Sequence, residues 1–182
     1  FLATGNSMPL DVFERVLYNG LLSGVSLAGD RFFYPNPLES EHGAERVPWF
    51  DCACCPPNVV RFLAALPGYV YAQNGDSIHV CLYGNSTAEL EVAGTKVRIE
   101  QTTAYPWDGR ITIRVNTPGK FTLNPRLPAG GTISVNGKPH DSASIAREWR
   151  AGDEVVLDIP MKPQLVTAHP HVAENTGRVA IM

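Results

Sequence analysis

The sequence predicts a mainly β member of the α+β class, helical at its start and an antiparallel β-sandwich after it. Three observations carry this expectation. Apolar residues recur at helical spacing over residues 11–22, the period switches to two at about Tyr69, and from there turn residues interrupt the chain at short intervals with no helical pattern between them. In the first segment Val12, Val16, Leu17, Leu21 and Leu22 form one stripe, while Asp11, Glu14 and Arg15 keep to other positions, with Ser7 or Pro9 as start signals. Gly29-Asp30 then separates Val25-Ser26-Leu27 from Arg31-Phe32-Phe33-Tyr34, which fits a short hairpin ended by Pro35 and Pro37. Residues 39–46 are polar and read as an exposed loop leading to Val47-Pro48-Trp49-Phe50 and a run of cysteines. Pro56-Pro57 with Asn58 suits a helix opening. Val59, Val60, Phe62, Leu63 and Leu66 continue it until Pro67-Gly68.

Beyond Tyr69, Ile78/Val80/Leu82, Val97/Ile99, Ile111/Ile113/Val115, Phe121/Leu123 and Val155/Leu157/Ile159 each supply one buried strand face. Asn74-Gly75, Gly94, Asp108-Gly109, Pro118-Gly119, Gly130-Gly131, Asn136-Gly137 and Gly152-Asp153 separate them. The sandwich is expected between about Ala72 and His169, so the chain divides into residues 1–71, 72–169 and 170–182. The opening Phe-Leu-Ala-Thr-Gly-Asn reads as the last turn of a helix, and the closing Gly177-Arg178-Val179-Ala180-Ile181-Met182 as a strand interrupted midway. Both ends are therefore expected to be internal to a longer protein.

Composition excludes several classes. With a formal charge of -3 and no cluster of Lys or Arg longer than a pair, the chain offers no phosphate-tracking surface, so nucleic acid is not an expected partner. No apolar run approaches the ~20 residues that cross a bilayer. Three of the 4 cysteines crowd into Cys52-Ala53-Cys54-Cys55, where neighbours cannot easily pair with each other in relaxed disulfide geometry. Reduced thiols and a reducing, cytoplasmic compartment are expected.

Chemistry concentrates in Trp49-Phe50-Asp51-Cys52-Ala53-Cys54-Cys55-Pro56-Pro57-Asn58. Thiols just ahead of a helix feel its positive end, which raises their thiolate fraction and makes them better nucleophiles and zinc ligands. Ligands this close in sequence supply only part of a tetrahedral zinc shell, so one or two donors must come from elsewhere. Spacing alone is equally compatible with three small buried residues at a helix entry.

This motif, continuing into Val59-Val60-Arg61-Phe62, resembles glycoside hydrolase family 127, the β-L-arabinofuranosidase type, formerly a domain of unknown function. So do Phe13-Glu14-Arg15-Val16-Leu17-Tyr18-Asn19-Gly20, Arg31-Phe32-Phe33-Tyr34-Pro35-Asn36-Pro37-Leu38 and Phe121-Thr122-Leu123-Asn124. The likeness implies a parent (α/α)6 barrel with attached β-sandwiches, residues 1–71 being the terminal helices and hairpin of the barrel. It implies Cys54 as nucleophile and zinc ligand and Cys55 as a second zinc ligand, and gives Cys52 no part. The implied reaction is retaining: a thiolate takes the place of one of the usual two carboxylates and attacks a β-L-arabinofuranosyl unit of an oligosaccharide. The implied acid–base Glu and the remaining Glu and Cys ligands lie upstream and match nothing in this chain. This chain alone is therefore expected neither to complete a zinc shell nor to turn over substrate.

Tyr34, Asn36 and Trp49 are candidate sugar contacts, with packing as the alternative use of the two rings. His79, Cys81 and Tyr83 share a strand face that is expected to lie partly under another sheet or domain. His140, His169 and His171 are expected at the surface. The first helix should leave its apolar stripe uncovered and so promote self-association. Two rivals to the enzyme reading are a carbohydrate-binding or interaction sandwich and a protein in which the cysteines hold a loop through a structural zinc.

Overall fold

The computed structural model describes residues 6–35, 37, 39 and 43–182. The readings of residues 1–5 as a helix end and of Asn36 as a sugar contact lie outside the described residues, as do Leu38, Glu41 and His42.

Helix α1 (Met8–Val16) begins where Asn6 Oδ1 accepts the Met8 amide at 2.9 Å, with Ser7 at the cap position and Pro9 in the first turn. It is shorter than the periodicity of residues 11–22 suggests, because the backbone widens into a π turn over Leu17–Leu21 before a 3-10 turn at Leu22–Gly24. Its facing also differs from the simplest reading of the pattern. Leu17 is buried, but Val12 and Val16 are 56% and 57% exposed, as expected for an uncovered apolar stripe. The acidic side instead meets the sandwich. After a turn, Val25 bridges Phe32 in the expected hairpin, and Phe32 bridges Val47 in turn. Helix α2 (Cys55–Ala65) follows the cysteine run and tightens into a 3-10 turn at Leu66–Tyr69. Its Phe62 packs with Phe13 of α1 and with Tyr69, ring centroids 5.8 and 6.2 Å apart.

Ten strands then form two facing sheets. The first orders β1 (Tyr71–Asn74), β2 (Ser77–Val80), β6 (Gly119–Pro125) and β9 (Ile145–Trp149). The second orders β3 (Ser86–Val92), β4 (Thr95–Thr103), β5 (Arg110–Val115), β10 (Asp153–Asp158), β7 (Thr132–Val135) and β8 (Lys138–His140). All pairings within both sheets are antiparallel except β2 with β6, which run parallel. Ile78, Val80, Phe121, Leu123 and Trp149 from one sheet meet Val97, Ile99, Ile111, Ile113, Val115, Val155 and Leu157 from the other in one buried cluster. Apart from Trp149, these are the alternating residues that the period of two assigns to the inner faces. The β7–β8 turn needs two left-handed residues, and Asn136-Gly137 supplies them at φ 50° and 76°. Beyond this body, β11 (Leu165–Thr167) pairs with β12 (Val179–Ile181) in a separate two-stranded sheet. Among the described residues no helix is long and apolar enough to cross a membrane.

Candidate active site

The cysteine run folds into a tight turn feeding α2. The Cys54 amide donates to the Cys52 carbonyl at 3.0 Å, which delivers Cys54 to the cap position of the helix. The Cys54 carbonyl accepts both the Asn58 amide at 3.2 Å and the Asn58 side-chain amide at 2.9 Å, so Asn58 locks the first turn from within. Pro56 and Pro57 fall in that first turn, where a missing N–H leaves no helical bond unmade.

Cys54 is exposed, with its Sγ 3.4 Å from the Tyr34 hydroxyl and 3.6 Å from Cys55 Sγ. Tyr34 reaches it because the Val25–Phe32 and Phe32–Val47 bridges bring the hairpin back beside the motif. The Tyr34 ring also meets Phe50 edge-on, centroids 5.4 Å apart. As a thiol, Cys54 donates to the phenol oxygen; once ionised, it accepts the phenol O–H. That bond, and after it the one from the Cys55 thiol, hold Cys54 below the ordinary thiol value. Both partners shift the other way. Tyr34 is pushed up to about 12 and Cys55 is also raised, each chiefly by its hydrogen bond with Cys54. Cys81 contrasts with them, since burial pushes it up to about 11. Of Cys54, Cys55 and Cys81, the sulfur that most readily becomes an anion is thus the exposed Cys54 at a helix N-terminus, where the dipole adds to the effect.

The sulfur pair also fits a shared metal. Two sulfurs each ~2.3 Å from a tetrahedral zinc lie about 3.8 Å apart, and this pair is 3.6 Å apart. Among the described residues no three His, Cys, Asp or Glu side chains cluster closely enough to hold an ion. The pair therefore fits half of a four-ligand shell.

The other candidates fall into place around or away from this point. Trp49 is 61% exposed beside the motif. Cys52 is exposed at the start of the turn. Glu39 is bonded to Arg178 at 2.9 and 3.2 Å. His169 and His171 are exposed and meet edge-on, and the His140 ring sits 2.8 Å from the Ser142 carbonyl. The face bearing His79, Cys81 and Tyr83 is more fully covered than expected: Cys81 and Tyr83 are buried, and Tyr83 belongs to the core cluster.

Periodicity gave no sign that Asp11 and Glu14 are contacts to the sandwich. Both bond Arg126, at 2.6 and 2.7 Å. Two acids three residues apart on one helix, with a lone Arg closing the apolar strand β6, were the available signal.

Residues 1–68 match the family model for the GH127 β-L-arabinofuranosidase catalytic domain, and residues 77–161 match the model for the GH127 middle domain. The chain belongs to glycoside hydrolase family 127. A curated non-reducing end β-L-arabinofuranosidase from Bifidobacterium longum subsp. longum is 31% identical over 200 residues, which is 94% of this chain and 30% of that protein. A solved GH127 β-arabinofuranosidase superposes with TM-score 0.96 at 43% identity, covering 100% of this chain and 33% of that one. A GH127 β-L-arabinofuranosidase from Geobacillus stearothermophilus T6 gives 0.89 at 40% identity, covering 99% and 32%. This family 127 chain thus spans about a third of the length of these relatives. Its thiol turn lies within the catalytic-domain match and its ten-stranded body largely within the middle-domain match.

Proposed function

We propose that this chain is the thiol-bearing part of a retaining glycoside hydrolase that removes β-L-arabinofuranosyl units from an oligosaccharide, with Cys54 as its nucleophile. One observation carries the reading: an exposed sulfur at a helix N-terminus, hydrogen-bonded to Tyr34 and held below the ordinary thiol value. The names of the relatives supply the sugar.

In the reaction the Cys54 thiolate attacks the anomeric carbon, a C–S bond forming as the glycosidic C–O bond breaks. The departing oxygen takes a proton from a carboxylic acid. Water, deprotonated by the same carboxylate, then attacks the anomeric carbon from the opposite face and restores the thiolate, so two inversions give retention. The acid–base Glu is assigned to a segment outside this chain, as the family resemblance implies; among the described residues, Glu14 is tied to Arg126 and Tyr105, and Glu39 to Arg178. Tyr34 steadies the sulfur anion by donating its hydroxyl, and Trp49 offers a ring face to the sugar. Cys54 and Cys55 would hold one side of a zinc ion whose remaining ligands would come from outside this chain. When bound, zinc keeps the sulfur deprotonated while reducing its basicity. A division at residue 71 parts the site-bearing segment from the sandwich, whereas one at 169 falls between the paired strands β11 and β12, so the C-terminal piece begins ahead of β11.

Metal analysis of a full-length family 127 protein carrying this segment tests the reading. Wild-type protein is expected to retain zinc through gel filtration, whereas Cys54→Ser and Cys55→Ser should each lose most of it. Full retention in both variants would remove the thiol pair from the metal site.

A further inference from the structure

The network joining α1 to the sandwich centres on Arg126, whose side chain is only 2% exposed. Every nitrogen of its guanidinium is used: Nε donates to the Cys81 carbonyl at 2.9 Å, Nη1 to Asp11 at 2.6 Å and Nη2 to Glu14 at 2.7 Å. The backbone is held as well, its amide donating to the Val80 carbonyl at 3.0 Å and its carbonyl accepting the Tyr83 hydroxyl. The Tyr83 ring lies beneath the guanidinium, 5.1 Å away, and Tyr105 donates to the second oxygen of Glu14 at 2.8 Å. Burial opposes the charge on Arg126, but the Glu14 and Asp11 carboxylates outweigh it and keep the guanidinium firmly charged.

Simple adhesion does not call for such a device. A buried ion pair is replaceable by apolar residues at little or no loss of stability, whereas a forked, fully partnered Arg fixes one orientation. That orientation reaches the sulfur pair through packed rings. Phe13, on the turn of α1 that holds Asp11 and Glu14, contacts Phe62 and Tyr69 at 5.8 and 5.5 Å. Phe62 belongs to α2, whose first residue is Cys55 and whose cap is Cys54.

The geometry assigns Arg126 as a positioning residue: from the sandwich it sets α1, and through Phe13 and Phe62 it sets the helix end that presents Cys54 and Cys55. It touches neither sugar nor sulfur. The inference rests on the reading of Cys54 and Cys55 given under Proposed function, and its test is separable from that reading.

The test is amide hydrogen exchange on this chain as Arg126→Met, Arg126→Lys and Glu14→Gln, with peptides from β4, β5 and β10 reporting whether the sandwich stays folded. Arg126→Met and Glu14→Gln are expected to raise exchange about tenfold across residues 8–16 and again across residues 52–65, with the sandwich peptides unchanged. Arg126→Lys, which keeps the charge but not the fork, should recover part of the protection. Zinc titration of a full-length family 127 protein carrying this segment, against a competing chelator, gives the second readout, with a fall in affinity of about 10-fold or more expected for Arg126→Met. Loosening confined to residues 8–16, or spread evenly through the sandwich strands, overturns the inference. Equal zinc affinity in wild type and Cys54→Ser would sink the zinc reading, and the exchange at residues 52–65 would still decide the role of Arg126.

Discussion

In a full-length family 127 enzyme carrying this segment, Cys54→Ala is expected to lower kcat on an arabinofuranosyl substrate by about 10³-fold or more. The size follows from the role: removing a nucleophile leaves only binding and acid catalysis to act on the glycosidic bond. Cys54→Ser should be nearly as impaired, although it keeps the shape and the contact with Tyr34. Its hydroxyl ionises far less readily than the thiol, and oxygen is a poorer zinc ligand than sulfur in such a site. Cys52→Ala supplies the control on the same turn, because the Cys52 carbonyl rather than its sulfur receives the Cys54 amide. It should keep most of its rate. Steady-state rates of the three variants, compared in the same excess of zinc, check the expectation. Comparable activity in Cys54→Ala and Cys52→Ala would place the nucleophile elsewhere.

The largest effect on stability is expected in the sandwich and not at the thiol site. Ile113 on β5 is fully buried, in a strand paired on both sides with β4 and β10. Ile113→Ala removes methylene contacts that a sheet bound on both edges cannot close over, so a loss of about 2–5 kcal/mol is expected. Val60 on α2 is 60% exposed in this chain. Val60→Ala should therefore change stability by no more than about 0.5 kcal/mol. Urea unfolding of both variants, followed by far-ultraviolet circular dichroism, measures the contrast. Similar losses in the two would mean that the α2 face is covered in solution, as self-association through the uncovered helix stripe would cause.

The sandwich was legible because most of its strands obey a period of two at the core: Ile111, Ile113 and Val115 are all buried, as are Val155 and Leu157, while Ile159 is half-buried and Tyr83 joins the core from the opposite face. The parallel β2–β6 pairing was not legible, since strand faces are written in the periodicity but the choice of partner depends on long-range packing. The thiol turn was legible in type and place: residues that read as one motif form one turn at one helix end. Its chemical asymmetry was not. Nothing in the spacing of Cys54 and Cys55 distinguishes the two sulfurs, whereas the fold brings Tyr34 from the distant hairpin to Cys54 and so lowers one thiol while the other rises. The acidic side of α1 was misleading for the same reason. A charged residue counts as solvent-facing by default, and the buried cation that reverses this for Glu14 lies just past the end of β6, 112 residues away.

Whether the Cys54 sulfur itself takes the sugar decides the mechanism. Acid quenching of the full-length enzyme during steady turnover, then proteolysis and mass spectrometry, reads this directly. A pentosyl group on the peptide containing Cys54, absent from the Cys54→Ser protein, is the predicted result. A pentosyl group on a carboxylate side chain, with the Cys54 peptide unmodified, would contradict it.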